Sequence, residues 1–354
     1  MSKSPKVYIQ SAAQISVQQP LSDAWFDEPI IHDTVYVRAI EPNYRDYIEP
    51  SKLRRMGKIL KRAIVTAQVA ANNSGIAMPD AIISGTGLGC IENTEIFLEA
   101  MVRNGEELLQ PTYFMQSTHN TIGSIVSIDM KCHGYNNTYT HKGVSFENAL
   151  LDAYLQFTAG RIKTALVGGY DEMTQKYQLI LSRIGYWRAH GENVTLKKGE
   201  EAFAGETSVS FMLSAEKNEK TICRIGGISL LYKPSEADLK TALDELLKQN
   251  ACSISDIDAV VVGTSGSRTN DEAYYRNAPA LFAGKPLLHY KHIFGESYTA
   301  SGLGMYVAAT CLQKQRTSKY LLMNGLTEIN SVKTLLLYNH CEDKNHSFIL
   351  LSKV

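Results

Sequence analysis

The residues of this chain with the plainest chemical potential are His141, Ser145 and Glu147, together with six cysteines. A histidine four residues before a serine at a helix start could form an acyl-transfer pair. The imidazole would take the hydroxyl proton and a third group would orient the ring. Glu147 is the only acid nearby in sequence. The serine lies inside the first helical turn rather than at its tip, so its expected role is a cap or packing hydroxyl. His141 is expected to be a buried, hydrogen-bonded imidazole, and it is the candidate for residual pocket chemistry.

The cysteines, Cys90, Cys132, Cys223, Cys252, Cys311 and Cys341, include no Cys-x-x-Cys pair of the kind that serves zinc or redox chemistry. Their expected role is that of small buried hydrophobes. Cys132-His133 and His340-Cys341 are adjacent pairs, but neighbouring side chains on a strand point to opposite faces and do not readily share a metal. No metal and no cofactor is expected.

Thirty-six Lys plus Arg balance thirty-six Asp plus Glu, so no global basic field exists to hold nucleic acid or an anionic membrane. The apolar stretch after the first six residues is too short for a secretory signal, and no run approaches the roughly 18 apolar residues of a spanning helix. The expected compartment is the cytoplasm. With 354 residues, 44% of them hydrophobic, the chain can bury one large core or two smaller ones.

The elements that must position these groups show a weak internal repeat. Asp80-Ala-Ile-Ile-Ser-Gly-Thr86 lines up with Asp258-Ala-Val-Val-Val-Gly-Thr264. The first of these strands follows a helical pattern over 51–73, with Ser51 as its expected cap; the second follows one over 235–249. A second pair of units sets the helix around 149–155 and the strand 164–169 against the helix around 306–312 and an expected strand at 319–325. Strand-like runs at 207–213, 334–338 and 348–351 close the halves, and 188–205 reads as a polar surface loop. Alternating helices and fully apolar strands imply a largely parallel sheet covered on both faces. Two such halves, 1–215 and 216–354, packed face to face would give a duplicated five-layer α-β-α-β-α architecture.

An ordered series of short motifs resembles the thiolase-like superfamily, and within it the β-ketoacyl carrier-protein synthases. The series comprises Arg55-Met56, Gly85-Thr-Gly-Leu-Gly89, Asn120, Gly134, Val167-Gly-Gly169 with Asp171-Glu-Met173, Gly205-Glu206, Gly263-Thr264-Ser265, Asn270-Asp271 and Lys291, spread over nearly the whole chain. The resemblance implies an α/β thiolase-like fold, acyl chemistry and an acyl carrier protein as partner. Decarboxylative condensation in that family needs a cysteine at a helix N-terminus, two imidazoles and a supporting lysine.

The resemblance also marks three vacancies. Gly143 falls where the family has its cysteine, Val262 where it has the first histidine, and Glu296 where it has the second. Lys291 is retained, and a Lys291–Glu296 ion pair is expected. The family's glycine-rich turn near the C-terminus is replaced by His340-Cys-Glu-Asp-Lys-Asn-His346, whose side chains are expected not to copy positive-φ turns.

Loss of all three groups within a retained scaffold resembles the chain-length-factor type of subunit, which pairs with an active ketosynthase. The segment from His141 to Glu147 resembles a variant turn of second ketosynthase-like proteins in bacterial aryl-polyene and flexirubin pathways. By the same resemblance Ile96, Phe97 and Met101 could form a tunnel floor, and Tyr113, Phe114 and Met115 lie on the segment that crosses the subunit interface. Core or interface packing is the ordinary alternative for such residues. Two other roles stay open: acyl transfer or thioester hydrolysis through His141 and Ser145, and carrier-protein binding by a non-catalytic homodimer.

Overall fold

The computed structural model describes residues 6–184, 203–282, 284–322 and 327–354. Its first half runs β1 (Val7–Ile15), α1 (Pro50–Leu53), α2 (Lys58–Ser74), β2 (Ala81–Gly85), α3 (Ile91–Asn104), α4 (Pro111–Ser117), α5 (Thr121–Asp129), β3 (Tyr135–Tyr139), α6 (Ser145–Thr158), β4 (Thr164–Asp171), α7 (Gln175–Arg183) and β5 (Thr207–Ser214). The second runs β6 (Cys223–Tyr232), α8 (Glu236–Gln249), β7 (Ala259–Val262), α9 (Arg268–Phe282), β8 (Leu287–His289), α10 (Lys291–Phe294), α11 (Ala300–Lys314), β9 (Thr334–Cys341) and β10 (Asn345–Ser352).

The strands lie in the order β3-β2-β4-β5-β1-β6-β10-β9-β7-β8. Outward from the β1–β6 seam, the two sides have the same succession, so β2 corresponds to β7 and β4 to β9. The repeated aspartates show why. Asp80 accepts backbone N–H bonds from Lys163 and Thr164 at the start of β4, and Asp258 accepts them from Lys333 and Thr334 at the start of β9. Each carboxylate fastens its strand to a parallel neighbour.

The pleat assigns alternate residues to two layers. Ala81 and Ile83 of β2, and Ala259 and Val261 of β7, join the central core around α6 and α11. Ile82 faces α2 in one outer core, while Val260 and Val262 face α8 and α9 in another. The layers are thus helices, sheet, helices, sheet, helices, as the fold class requires.

Four sequence expectations are corrected. The helix over 51–73 is broken: Pro50 opens α1, Glu49 is its N-cap, and α2 starts after Gly57 in extended backbone. A Cβ at Gly57 would lie 2.9 Å from Asn93, and its N–H donates to Gln116, so tertiary contact sets the break. Lys319–Leu321 is a 3-10 turn rather than a strand, and β9 takes the expected place beside β7; 323–326 lie outside the described residues. Of the polar loop, 188–202 is likewise outside them, while Phe203, Ala204 and Gly205 are buried. Finally, Glu342 and Asp343 adopt φ of 55° and 52° despite their side chains. The resulting hairpin is tight, with Asn345 paired to Cys341.

Candidate functional site

The turn between β3 and α6 is held by its own backbone. Ser145 Oγ accepts from the His141 N–H at 2.7 Å and donates to the Lys142 carbonyl at 2.7 Å. Lys142 has φ 44°, the left-handed conformation that turns the chain sharply into the helix. Ser145 is fully buried, whereas the His141 side chain is exposed, contrary to the buried imidazole expected for it. Glu147 points across the core, accepting from Asn339 Nδ2 at 2.8 Å and Ser347 Oγ at 3.3 Å. No imidazole bond to Ser145 forms, and the acid serves the second half of the chain.

Gly143 lies at the tip of this turn. A Cβ built there would sit 2.8 Å from Cys341 Sγ and 3.0 Å from its Cβ. The Gly143 N–H donates toward that sulfur. Cys341 ends β9, so a thiol from the second half occupies the space into which residue 143 would project. Cys341 is partly exposed rather than a fully buried hydrophobe, as is Cys252.

The opposite wall comes from β7 and the loop that joins it to α9. Val262 is fully buried in the outer core. Gly263, one step further along the pleat, is the residue that faces inward. Its built Cβ would meet Asn339 Oδ1 and Tyr274 OH at 2.7 Å and Lys291 Cε at 3.1 Å. The residue of this strand end that opens on the cavity is Gly263, while Val262 faces the outer core. Tyr274 OH lies against Gly263, donating to Asn339 Oδ1 at 3.0 Å. The loop itself is pinned by Asp271, which accepts from the Ser265 and Gly266 N–H groups at 2.8 and 2.7 Å. In the first half Asp171 pins the Gly87 and Leu88 N–H groups in the same manner.

Lys291 Nζ donates to Glu296 Oε2 at 2.5 Å. The adjoining Gly295 passes so close to Gly205 that a Cβ at 295 would lie 2.8 Å from the Gly205 Cα. Gly143, Gly263, Tyr274, Lys291, Glu296, Asn339, His340 and Cys341 thus border one cavity of about 100 Å³. Burial pushes the carboxyls of Glu147 and Glu296 upward, with Lys291 opposing the shift at Glu296. The His340 imidazole is driven down to about 3 by burial, with neighbouring His346 and Lys291 adding to it. It is neutral at physiological pH. Among the described residues, no cluster of His, Cys, Asp and Glu is arranged to hold a metal.

Ile96, Phe97, Met101, Tyr113, Phe114 and Met115 lie elsewhere, on α3 and α4, and none borders the cavity. None is core either. Ile96 is 40%, Phe114 58% and Met115 69% exposed, while the Phe97 ring packs tilted against Phe114 with ring centres 5.3 Å apart. Asn93 is the only buried residue of α3. The adjacent β3 is one edge of the sheet. Sequence reasoning missed the site roles of Cys341, Tyr274 and Asn339. The available signal was their placement on β9 and α9, where both halves converge, but only the fold gives that convergence.

The family model for the beta-ketoacyl synthase N-terminal domain matches residues 32–223. The chain belongs to the beta-ketoacyl synthase family. This beta-ketoacyl synthase homologue has no match among curated proteins. Its fold is shared with the ishigamide ketosynthase/chain length factor, at TM-score 0.81 and 14% identity over 99% of this chain and 100% of that one. It is also similar to a structure of the ketosynthase ApeO in complex with its chain length factor ApeC from Xenorhabdus doucetiae, at TM-score 0.76 and 13% identity, covering 99% of this chain and 98% of that one. A third similar structure, AntDE:AntF, pairs a type II acyl-carrier protein with its ketosynthase, at TM-score 0.79 and 13% identity over 99% and 100% of the two chains. Among the described residues, no helix is long and apolar enough to cross a membrane.

Proposed function

We propose that this chain is a ketosynthase-like subunit without condensing activity of its own. It pairs with an active ketosynthase, receives no extender unit, and shapes the pocket into which that partner's acyl chain grows. The observation that carries this reading is the set of occupants at the cavity: glycine at 143, glycine at 263 and glutamate at 296. Decarboxylation needs two donors held on the thioester carbonyl so that an enolate can persist. A Lys291–Glu296 pair satisfies itself, and Tyr274 is spent on Asn339.

The pairing half of the proposal rests on α3 and α4, whose apolar side chains are left on the surface, and on β3 as an edge strand of the sheet. A contiguous exposed apolar patch is characteristic of an interaction site, and an unpaired edge strand invites another strand. A ketosynthase with its carrier protein is the partner, in an aryl-polyene type of pathway in the cytoplasm. The halves 1–215 and 216–354 act as one unit in this assembly.

The test is co-expression with a ketosynthase and a carrier protein from the same genome. A stable mixed complex that elongates acyl chains, with no elongation by this chain alone, is expected. Phe97→Ala in that complex should lengthen the products. Condensation by the isolated chain would overturn the reading.

A further inference from the structure

Gly143 and Cys341 are reciprocal. A side chain at 143 and the thiol at 341 cannot share the space, since the built Cβ lies 2.8 Å from Sγ. The sulfur is therefore present at the turn, carried by the strand instead of the helix. Its position is fixed from both sides. Asn339, two residues earlier, bonds Glu147 of α6, and Lys142 Nζ lies 3.9 Å from Glu342 Oε1, one residue later. Cys341 is partly exposed and borders the cavity, so a ligand there can reach it.

A second feature of the cavity points to a ligand. His340 borders it and is 9% exposed, with Nδ1 accepting the Asp343 N–H at 3.3 Å. Its Nε2 therefore carries the proton. The Asn270 backbone interacts with the ring and raises its pKa, but Nε2 completes no hydrogen bond of full geometry. A buried N–H left in this state is a donor waiting for an acceptor.

We propose that Cys341 is a relocated acyl acceptor, taking an acyl group from a thioester at the place in space where a helix-tip thiol would act. Sγ attacks the thioester carbonyl carbon, a new C–S bond forms, and the donor's C–S bond breaks. The thiol proton ends on the departing sulfur, so no oxidant or reductant enters. The Gly143 N–H donates toward the sulfur and so favours the thiolate that attacks. The sequence of steps ends at the acyl-enzyme, because among the described residues His340 is the only imidazole bordering the cavity and an enolate needs two. This goes beyond the non-condensing reading without depending on it.

The groups around the sulfur set its pace. Burial raises the thiol first; Glu342 of its own hairpin, Glu296 across the cavity and Glu147 of α6 raise it further, and the Gly143 N–H opposes them. Lys291 and neutral His340 share the cavity. Transfer thus quickens as pH rises, because the thiolate is the attacking species.

The full chain, treated with hexanoyl-N-acetylcysteamine at pH 9 and mapped by peptide mass spectrometry, tests the proposal. One hexanoyl group on Cys341 is expected, at least tenfold faster than on Cys252, the other partly exposed thiol. Cys341→Ala should abolish it, with an unfolding transition confirming that the variant folds. The pair Gly143→Cys and Cys341→Gly should move the label to position 143. An unlabelled Cys341 in folded protein, under conditions where the denatured chain is acylated, overturns the proposal. So does equal labelling of Cys252, which would mean exposure alone decides. Neither result touches the non-condensing reading, which is judged by carbon–carbon bond formation.

Discussion

The cavity beside Gly143 and the surface of α3 and α4 fail in opposite ways to resemble an ordinary protein region. The cavity is polar and inward-facing, yet most of its polar groups are spent on one another: Lys291 on Glu296, Tyr274 on Asn339, Asn339 on Glu147. The α3–α4 face is apolar and outward-facing, with Val102 at 84% and Met115 at 69% exposure. One region has satisfied groups where a condensing enzyme needs available ones, and the other has unsatisfied surface where a lone subunit needs polar cover. Polar groups in this chain are thus satisfied at the cavity, and its unmet demand resides at the surface.

That contrast can be broken most forcefully at Lys291. Lys291→Met leaves the Glu296 carboxyl without its cation, and should cost about 3 kcal/mol, the usual range for removing one partner of a buried pair. Urea unfolding measures it. A loss below about 1 kcal/mol would mean the cavity is solvated and the pair contributes little.

A pH effect of similar size comes from Glu172, whose carboxyl accepts the N–H of Glu92 at the start of α3. Burial pushes it up to about 7 from its ordinary 4.5. Between those values the native state keeps a proton that the unfolded chain releases, so stability falls as pH rises through the window. The contribution is about 3 kcal/mol, lost by pH 7 and above. Glu172→Gln should flatten that part of the stability–pH curve; an unchanged slope would reject the assignment.

Next in size is Gly143→Ala, whose new methyl would press on Cys341 Sγ. A cost of about 2 kcal/mol is expected from overpacking, shrinking markedly in a Cys341→Gly background. Equal costs in both backgrounds would show that the sulfur is not what excludes a side chain. Ser145→Ala should cost about 1 kcal/mol by freeing the His141 N–H and the Lys142 carbonyl. It should leave any acyl transfer intact, and lost transfer in a folded variant would restore Ser145 as a nucleophile.

The smallest effect on folding should come from the other region. Met115→Asp is expected to change the stability of the lone chain by less than about 0.5 kcal/mol, as exposed substitutions usually do. In the proposed mixed complex the same change should weaken association at least tenfold, measured by titration with the ketosynthase. Strong destabilisation of the lone chain would instead place Met115 in a core.

Much of the scaffold was legible because it rests on short-range pattern. The apolar runs of β2 and β7 and the helical period of α8 over 235–249 are local signals with local causes. The break at Gly57 and the 3-10 turn at Lys319–Leu321 were not legible, because the first meets Asn93 and Gln116 and the second His292, all distant in sequence, whereas the left-handed Glu342 and Asp343 answer to the tight hairpin between β9 and β10. The same limit explains the site. Of the residues named from motif order, Gly143 and Lys291 border the cavity and Val262 lies one pleat position from Gly263, which does; a pleat is resolved only by the layers packed on either side.

By itself the amino-acid sequence determined that the chain is a duplicated α/β scaffold, since that resides in residue identity and periodicity, while its family resemblance implies a helix tip where glycine stands in for a sulfur. Only the tertiary structure decided that a sulfur is nevertheless there. Residues 143 and 341 belong to opposite halves, and nothing in a linear string records that folding the halves together sets one side chain into the space left by the other.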